Sequence, residues 1–461
     1  MAAWPLGYHV CGLLLVSCHF TAVRTVRLEE TGSLVDYRQF CSSYRCCPQE
    51  TDRVNMDCSA RNASQLQQVS VPAPISSLSL RHNRISQLQR GSFAMAPTLS
   101  RLDLSHNNIA AISEGWWTSD GGNRGNATSG LRSLSLADNA VQDVNRSSFY
   151  GLSMLVALDL SYNRIRVLRG DSFAGLTNLE ELVVDHNPIV SVRGDTLAPL
   201  VRLRELQMNY LARLVVSPHA FRFVPTLKIL GMAGNNLKSV PQRSLQTLKL
   251  LRSLDLSWNP LTTITESGLQ GLPRLSVLRL NDLHELTKVE AHAFGSLPGL
   301  KELHLSYNPM LMEVDPDAFY NKHDKRWVHL NALHLRRTGL RSLPSKLQDW
   351  NQLAVVDLSE NAWRCDCRLS WMAKLAERLP AEHRPRCAAP LSVEGRPVGD
   401  LRPYEFSCED SGSPGLASSI GMVCAMIASA AVAFVGVRIY ECATRTDERR
   451  YTRFTNNTCS Q

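Results

Sequence analysis

Residues 99–109 read LSRLDLSHNNI, and the same arrangement of leucine, asparagine and a final aliphatic residue returns as LVALDLSYNRI at 155–165 and LRSLDLSWNPL at 251–261. Most consecutive units begin 24 residues apart. Twelve units cover residues 75–363, and their first residues are Ile75, Leu99, Leu131, Leu155, Leu179, Leu203, Leu227, Leu251, Leu275, Leu300, Leu330 and Leu353. Repetition in register over this length predicts a solenoid.

The leucine pairs within a unit alternate with other residues, as a short strand requires. In the second unit, Leu102 and Leu104 are predicted to point inward, whereas Arg101, Asp103 and Ser105 face the other way. One unit cannot bury its apolar side alone, so neighbouring units must stack. We therefore expect a continuous parallel sheet with strands about 4.8 Å apart.

The ninth residue of most units is an asparagine, for example Asn107, Asn139, Asn187 and Asn235. It comes where the strand must turn, and its short amide can bond to backbone groups there. Leu211 and Leu283 replace it in two units. We expect the backbone groups of those two turns to be satisfied differently, with a local change of curvature.

The period lengthens at two places. Between Leu99 and Leu131 the additional residues include Trp116, Trp117 and several glycines, which predict a surface loop. The two tryptophans are either an exposed binding candidate or part of a loop that folds back onto the convex side. The second insertion, at 321–326, is a charged segment.

The pattern L-x-x-L-x-L-x-x-N-x-L resembles the leucine-rich repeat family. The resemblance implies an α/β solenoid of horseshoe form, with a parallel β-sheet on the concave face and an irregular or short-helical convex face. In this family, apolar residues fill the convex side of the core, and the corresponding residues here are Phe93, Phe149, Phe173, Phe221, Phe294 and Phe319, with Leu245 and Leu269 as substitutes.

Two sets of four cysteines flank the repeats, in segments 41–74 and 361–408. A zinc site is one interpretation of a C-x-C motif with distant cysteines, but an extracellular location favours disulfides. Both sets resemble the disulfide caps of extracellular leucine-rich repeat proteins. That resemblance implies the bridges Cys41–Cys47, Cys46–Cys58, Cys365–Cys387 and Cys367–Cys408; the adjacent cysteines of the first set leave its pairing open.

Two apolar segments predict the topology. Residues 1–22 resemble a signal peptide, with cleavage after Cys18 or Ala22. Residues 416–437 carry no charge, follow a linker at 409–415 and are long enough to span about 33 Å as a helix. A buried core helix is the alternative. Arginines in the tail, 438–461, place it in the cytoplasm. We expect a single-pass type I protein of the plasma membrane with extracellular repeats.

Short motifs suggest modification, sorting and association. Sequons predict N-glycosylation at Asn62, Asn126 and Asn145. In the tail, the segment from Tyr451 to Phe454 resembles a tyrosine-based endocytic sorting motif. Small residues recur at every fourth position of the apolar segment and would permit a homodimer, although an alanine-rich span without a partner has the same appearance: Gly421, Ala425, Ser429 and Ala433.

Catalytic patterns are not found in the sequence. The 13 histidines look scattered, and 50 basic against 42 acidic residues give no sign of a nucleic-acid interface. A row of aspartates is interpreted as a solvated strand face rather than a metal or catalytic site: Asp103, Asp159, Asp255 and Asp357. We expect no enzyme activity, no cofactor and no metal.

Aromatic or imidazole side chains recur at the eighth position of five units: Tyr162, His186, Tyr210, Trp258 and Tyr307. They are candidates for ligand contact, because tyrosine and tryptophan are frequent in interface hot spots; packing along the sheet edge is the alternative. The resemblance implies a cell-surface protein-binding receptor, adhesion molecule or co-receptor that uses its concave surface. Alternatives are an innate immune pattern-recognition co-receptor, or a shed matrix or inhibitory binding protein.

Overall fold

A computed structural model describes residues 54–66, 71, 75–94, 96, 98–117, 130–146, 148–211 and 213–408. In these residues, thirteen short strands form one parallel sheet, here called the concave sheet. Strands β1 to β13 are Asn55–Asp57, Ser77–Ser79, Arg101–Asp103, Ser133–Ser135, Ala157–Asp159, Glu181–Val183, Glu205–Gln207, Ile229–Gly231, Ser253–Asp255, Val277–Arg279, Glu302–His304, Ala332–His334 and Val355–Asp357.

Equivalent residues of neighbouring units pair directly across the concave sheet. The central leucine of β3, Leu102, pairs with Leu78 on one side and Leu134 on the other, and all three are buried. Strands β2 to β13 are the twelve predicted units, which confirms the solenoid. Strand β1 precedes them and was not predicted; it belongs to the amino-terminal cap and pairs with β2.

The side opposite the concave sheet consists of turns and two-residue strands. These strands pair in parallel: Gln87–Leu88 with Ala111–Ile112, Ser191–Val192 with Val215–Val216, and the middle strand Lys288–Val289 with both Thr263–Ile264 and Glu313–Val314. Helix α1, Gln242–Leu245, and the 3₁₀ turns Glu266–Leu269 and Ser345–Leu347 are the helical elements described there. The parallel sheet of the expected solenoid is thus confirmed, and its convex face is irregular with short helical turns, as predicted.

Phenylalanines fill the convex side of the core, as the resemblance implied. All six that were predicted there are fully buried: Phe93, Phe149, Phe173, Phe221, Phe294 and Phe319. One expectation for the other side is wrong: Ser105 is buried, although Arg101 is exposed and Asp103 is half-buried. A small residue next to the turn is covered by its neighbours in the adjacent units.

The repeated asparagines connect each unit to the one before it. Asn187 is 1% exposed; its Nδ2 donates to Leu160 O of the preceding unit at 2.8 Å and to Val184 O of its own unit at 3.0 Å. Its Oδ1 accepts a hydrogen bond from Ile165 N at 3.0 Å. The structural role predicted for the ninth position is therefore the observed one.

The two units without this asparagine still donate to the asparagine of the next unit. Leu211 N donates to Asn235 Oδ1, and Leu283 N donates to Asn308 Oδ1, each at 2.7 Å. Asn235 N makes the same kind of bond to Asn259 Oδ1 at 3.0 Å, so this contact does not distinguish the two units. The expected difference in these turns and the change of curvature stay predictions.

Both insertions contain parts that fold onto the solenoid. Trp116 and Trp117 are buried against Phe93, and Trp116 Nε1 donates to Ser148 O at 2.7 Å. The two rings are therefore core residues rather than an exposed binding pair. The second insertion begins and ends in the antiparallel strands Tyr320–Asn321 and Arg326–Trp327, and Lys322 between them forms an ion pair with Glu266 at 2.7 Å.

The carboxy-terminal cap covers the last unit. Helix α2, Met372–Arg378, packs its apolar residues into the core, and the strands Trp363–Arg364 and Cys387–Ala389 pair beside it. Four 3₁₀ turns complete the cap: Cys367–Leu369, Ala381–His383, Leu391–Val393 and Val398–Asp400, followed by a fifth at Pro403–Glu405.

Two disulfides close this cap with the pairing that the resemblance implied. Cys365 bonds Cys387 and Cys367 bonds Cys408, with Cα–Cα distances of 5.6 Å and 5.1 Å. At the other end Cys58 is also disulfide-bonded. Cys41, Cys46 and Cys47 lie outside the described residues, so the pairing of the first set stays a prediction.

Several predicted segments also lie outside the described residues. They are the signal peptide at 1–22, the linker at 409–415, the apolar segment at 416–437 and the tail at 438–461, with the candidate dimer and sorting residues that these segments contain. Asn126 lies outside as well. Among the helices that are described, none combines the length and the apolar character needed to cross a bilayer.

Candidate binding surface

The eighth residue of every unit has a left-handed backbone. Its φ lies between 51° and 65° in all twelve units. These residues form a row along one edge of the concave sheet, here called the edge row: His82, His106, Asp138, Tyr162, His186, Tyr210, Gly234, Trp258, Asp282, Tyr307, Arg337 and Glu360. A bulky residue is disfavoured at positive φ. Where one occurs, we expect contacts of its side chain that offset this cost.

Three of the five predicted ligand residues form a continuous stack. The ring of His186 is 4.2 Å from that of Tyr162 and 4.6 Å from that of Tyr210, with interplanar angles of 11° and 14°. Both tyrosines remain exposed, Tyr162 at 55%. The rings therefore pack on one another along the edge, as the alternative interpretation of the sequence predicted, and the two tyrosines nevertheless keep a large exposed surface. We call these three residues the aromatic stack.

Gly234 borders the aromatic stack. A Cβ atom built on this glycine would collide with the ring of Tyr210. The Tyr210 ring thus covers the bare backbone of the next unit, which requires glycine at this place. Its φ of 65° gives a second reason for glycine, because this conformation suits a residue without Cβ.

The other two predicted residues stand apart from the aromatic stack. Trp258 is exposed and contacts the His284 ring edge-to-face at 5.6 Å. Tyr307 is also exposed. Gly234 separates Trp258 from the aromatic stack, and Asp282 separates it from Tyr307.

Three carboxylates lie on the concave strands of the same three units as the aromatic stack. Glu181 and Glu205 are paired across β6 and β7. Burial, followed by the charges of Glu205 and Asp159, raises the pKa of Glu181 above its usual value. These three residues, here called the acidic cluster, therefore repel one another. At the aromatic stack, burial and then the charges of other carboxylates, Asp255, Asp282 and Asp185, raise the pKa of Tyr210.

The predicted aspartate row supports the turns. Asp103, Asp159 and Asp255 each accept a hydrogen bond at 2.9 Å from the backbone N of the serine two residues later, and Asp357 accepts one at 3.1 Å. The interpretation as a solvated face is wrong for Asp357, which is 6% exposed and lies 3.3 Å from His383 Nδ1 of the cap. An acidic side chain there is held by the cap that covers the last strand.

The expectation of scattered histidines is wrong. The rings of His82 and His106 stack at 4.3 Å, and those of His304 and His334 at 4.4 Å. The members of each pair occupy equivalent positions in consecutive units, a signal that the unit alignment contained. His304 Nε2 also lies 2.5 Å from Glu302 Oε1. Burial, followed by the charge of His304, lowers the pKa of His334 below its usual value.

Two of the predicted glycosylation sites are described. Asn62 and Asn145 are both exposed, which is compatible with modification. Asn145 lies before Phe149 on the convex side, and its Oδ1 accepts a hydrogen bond from Ser148 Oγ at 3.3 Å. Glycosylation of both residues stays a prediction.

Comparisons with known proteins agree with this architecture. The leucine rich repeat pattern matches residues 74–119, 129–189, 201–261, 225–284 and 273–323. Tsukushi of Mus musculus is 32% identical over 333 residues, which is 67% of this chain and 78% of that protein. Tsukushi of Gallus gallus is 35% identical over 121 residues, so this match spans 26% of the chain and 31% of the chicken protein.

More distant matches show the same fold. CD180 antigen of Homo sapiens is 26% identical over 215 residues, 41% of this chain and 32% of that protein. The crystal structure of the mouse RP105/MD-1 complex superposes with a TM-score of 0.62 at 21% identity, covering 77% of this chain and 58% of the other. The repeat geometry, the matched segments and the mouse Tsukushi alignment lead to one conclusion: the chain belongs to the leucine-rich repeat family.

Proposed function

We propose that this chain is a protein-binding receptor, co-receptor or adhesion molecule of the cell surface, and that it contacts its partner through the aromatic stack and the acidic cluster. The observation that carries the proposal is the stack of Tyr162, His186 and Tyr210, in which both tyrosines stay exposed although their rings are packed.

The aromatic stack has the properties of a contact surface with a low ordering cost. The backbone of each member is fixed by its turn, and each ring is held by its neighbour. A partner would therefore immobilise few additional rotors when it binds. Exposed tyrosines in such a setting resemble the hot-spot residues of protein interfaces.

The acidic cluster indicates the charge of the partner. Burial, followed by the charges of Glu205 and Asp159, raises the pKa of Glu181, so its carboxylate lies in a negative environment. A lysine or arginine of the partner would relieve this repulsion, so a basic surface is expected to bind best. Such steering acts mainly on the association rate and weakens as ionic strength rises.

The comparisons and the caps support an extracellular binding role. The similar solved structure contains RP105 in complex with MD-1. The disulfides of the carboxy-terminal cap are typical of proteins that fold in an oxidising compartment. Residues 1–22 as a signal peptide and 416–437 as a membrane span would complete this topology.

A binding screen on intact cells tests the proposal. Cells that display the full chain are probed with a panel of secreted and cell-surface proteins, and each hit is tested again with Tyr162→Ala and Tyr210→Ala. Tyr150→Ala is the matched control, because Tyr150 is 49% exposed but follows Phe149 on the convex side. We expect binding to fall for the two edge variants alone. If every hit binds the Tyr162→Ala and Tyr210→Ala variants as strongly as the wild type, the proposed surface is refuted.

A further inference from the structure

A second group of polar side chains lies near the far end of the concave sheet. It consists of Glu302 and His304 on β11 and His334 on β12. Their candidate ligand atoms all lie within 4.8 Å of one another. In the part of the chain that the structure describes, no other group of three histidine, cysteine or acidic residues converges in this way.

The repeat geometry explains this convergence. Glu302 and His304 are two residues apart on one strand, so their side chains are on the same face. His304 pairs in register with His334, and the two rings are parallel within 3° at 4.4 Å. A strand spacing of about 4.8 Å thus places two imidazoles and one carboxylate at adjacent points of a rigid sheet.

We propose that Glu302, His304 and His334 bind a zinc ion on the concave sheet. Two imidazoles and one carboxylate form a donor set that zinc uses with three protein ligands and an open fourth position. Magnesium and calcium prefer sites made of oxygen atoms alone. Tetrahedral bonds of about 2.0–2.1 Å place donor atoms about 3.3 Å apart, so the two parallel rings must rotate until their planes meet at the ion.

The hydrogen bond between His304 Nε2 and Glu302 Oε1, 2.5 Å long, joins two of the candidate ligand atoms. Zinc binding would replace this hydrogen bond: any proton between the two atoms passes to solvent and both atoms become ligands, since a metal-binding imidazole must offer a lone pair. All three side chains are only partly buried, which leaves the ion an entry path from the concave side.

The strands on either side of the three residues carry one acidic and one basic residue. Asp357 pairs in register with His334 on the next strand, and its carboxylate lies 3.3 Å from His383 Nδ1. Arg279, on the preceding strand, is the register partner of His304 on the other side, and its Nη1 donates to Ser253 Oγ at 3.2 Å. The guanidinium is thus directed toward an earlier unit.

The test uses the untagged full-length chain, stripped with a chelator and titrated at near-neutral pH with zinc, or with cobalt for its visible absorption. We expect one ion per chain. Loss of an outer partner of a zinc ligand typically weakens binding about 10–100-fold, so loss of a direct ligand in His334→Gln or Glu302→Gln should weaken it at least as much. Circular dichroism of each variant checks that it is folded.

His106→Gln is the matched control. His82, His106 and Asp138 are also two histidines and a carboxylate on neighbouring units, but their candidate ligand atoms do not form a group of three close to one another. His106 contacts Asp138 at 2.6 Å and stacks on His82. Zinc binding retained in this variant and lost in the other two supports the site. Three results would overturn the proposal. They are an absence of zinc binding to the wild-type chain, a wild-type zinc affinity in the folded His334→Gln and Glu302→Gln variants, and displacement of zinc by equimolar magnesium or calcium.

Discussion

Replacing Asn187 by alanine tests whether the asparagine row holds the units together. Its amide makes four hydrogen bonds to the backbone, with Ile165 N, Leu160 O, Val184 O and Asp185 O. Alanine cannot replace any of them. The loss is felt in two consecutive units, because Ile165 and Leu160 belong to the preceding one.

The magnitude follows from the groups that lose a partner. An unsatisfied buried N–H group costs about 1–3 kcal/mol, and each carbonyl that loses a hydrogen bond adds about 0.5–1.5 kcal/mol. Asn187 is almost fully buried, so water does not replace the amide. We expect Asn187→Ala to lower the free energy of unfolding by about 3 kcal/mol.

Urea unfolding of the purified full-length protein, followed by circular dichroism, measures this change. Hydrogen exchange should also accelerate in residues 160–187, because repeat proteins can open locally. Asn108→Ala is the control, since Asn108 is exposed and adjacent to a ninth-position asparagine; its effect should stay within about 0.5 kcal/mol. An Asn187→Ala variant as stable as this control would refute the reasoning.

Three further substitutions give distinct outcomes. Trp116→Ala removes a buried ring and its hydrogen bond to Ser148, and chemical denaturation should show a loss of about 3–5 kcal/mol. Gly234→Ala should cost about 1–3 kcal/mol in the same assay, because it combines backbone strain with a collision against Tyr210, and it should also reduce partner binding. The folded-state pKa of Glu181 is raised, so its ionised form destabilises the protein at neutral pH, and this effect fades as pH falls through that pKa. Thermal melts should therefore show Glu181→Gln above wild type at neutral pH, with the difference lost in acid; a lower melting temperature at neutral pH would contradict this sign.

The sequence was sufficient wherever a residue repeats with the unit. The inward direction of Leu102, the buried phenylalanines and the backbone-binding asparagines all follow from a register that neighbouring units share. The same register also brings His304 beside His334, but that pair becomes visible only when the units are aligned and one column is read across them. Treating histidines as single residues concealed it.

Non-periodic segments were less predictable. Whether Trp116 and Trp117 would be exposed or buried depended on the path of an insertion, for which no neighbouring unit supplies a template. The burial of Asp357 likewise depends on the cap, which belongs to a different part of the chain. Strand β1 was missed because a single cap strand has no repeated counterpart.

Hydrogen exchange of the full chain with and without its protein partner tests the proposed binding surface most directly. The proposed function predicts partner-induced protection in peptides that contain Tyr162 and Tyr210, with no change in the convex peptide that contains Tyr150. Protection confined to convex peptides, with the aromatic stack unchanged, would contradict it.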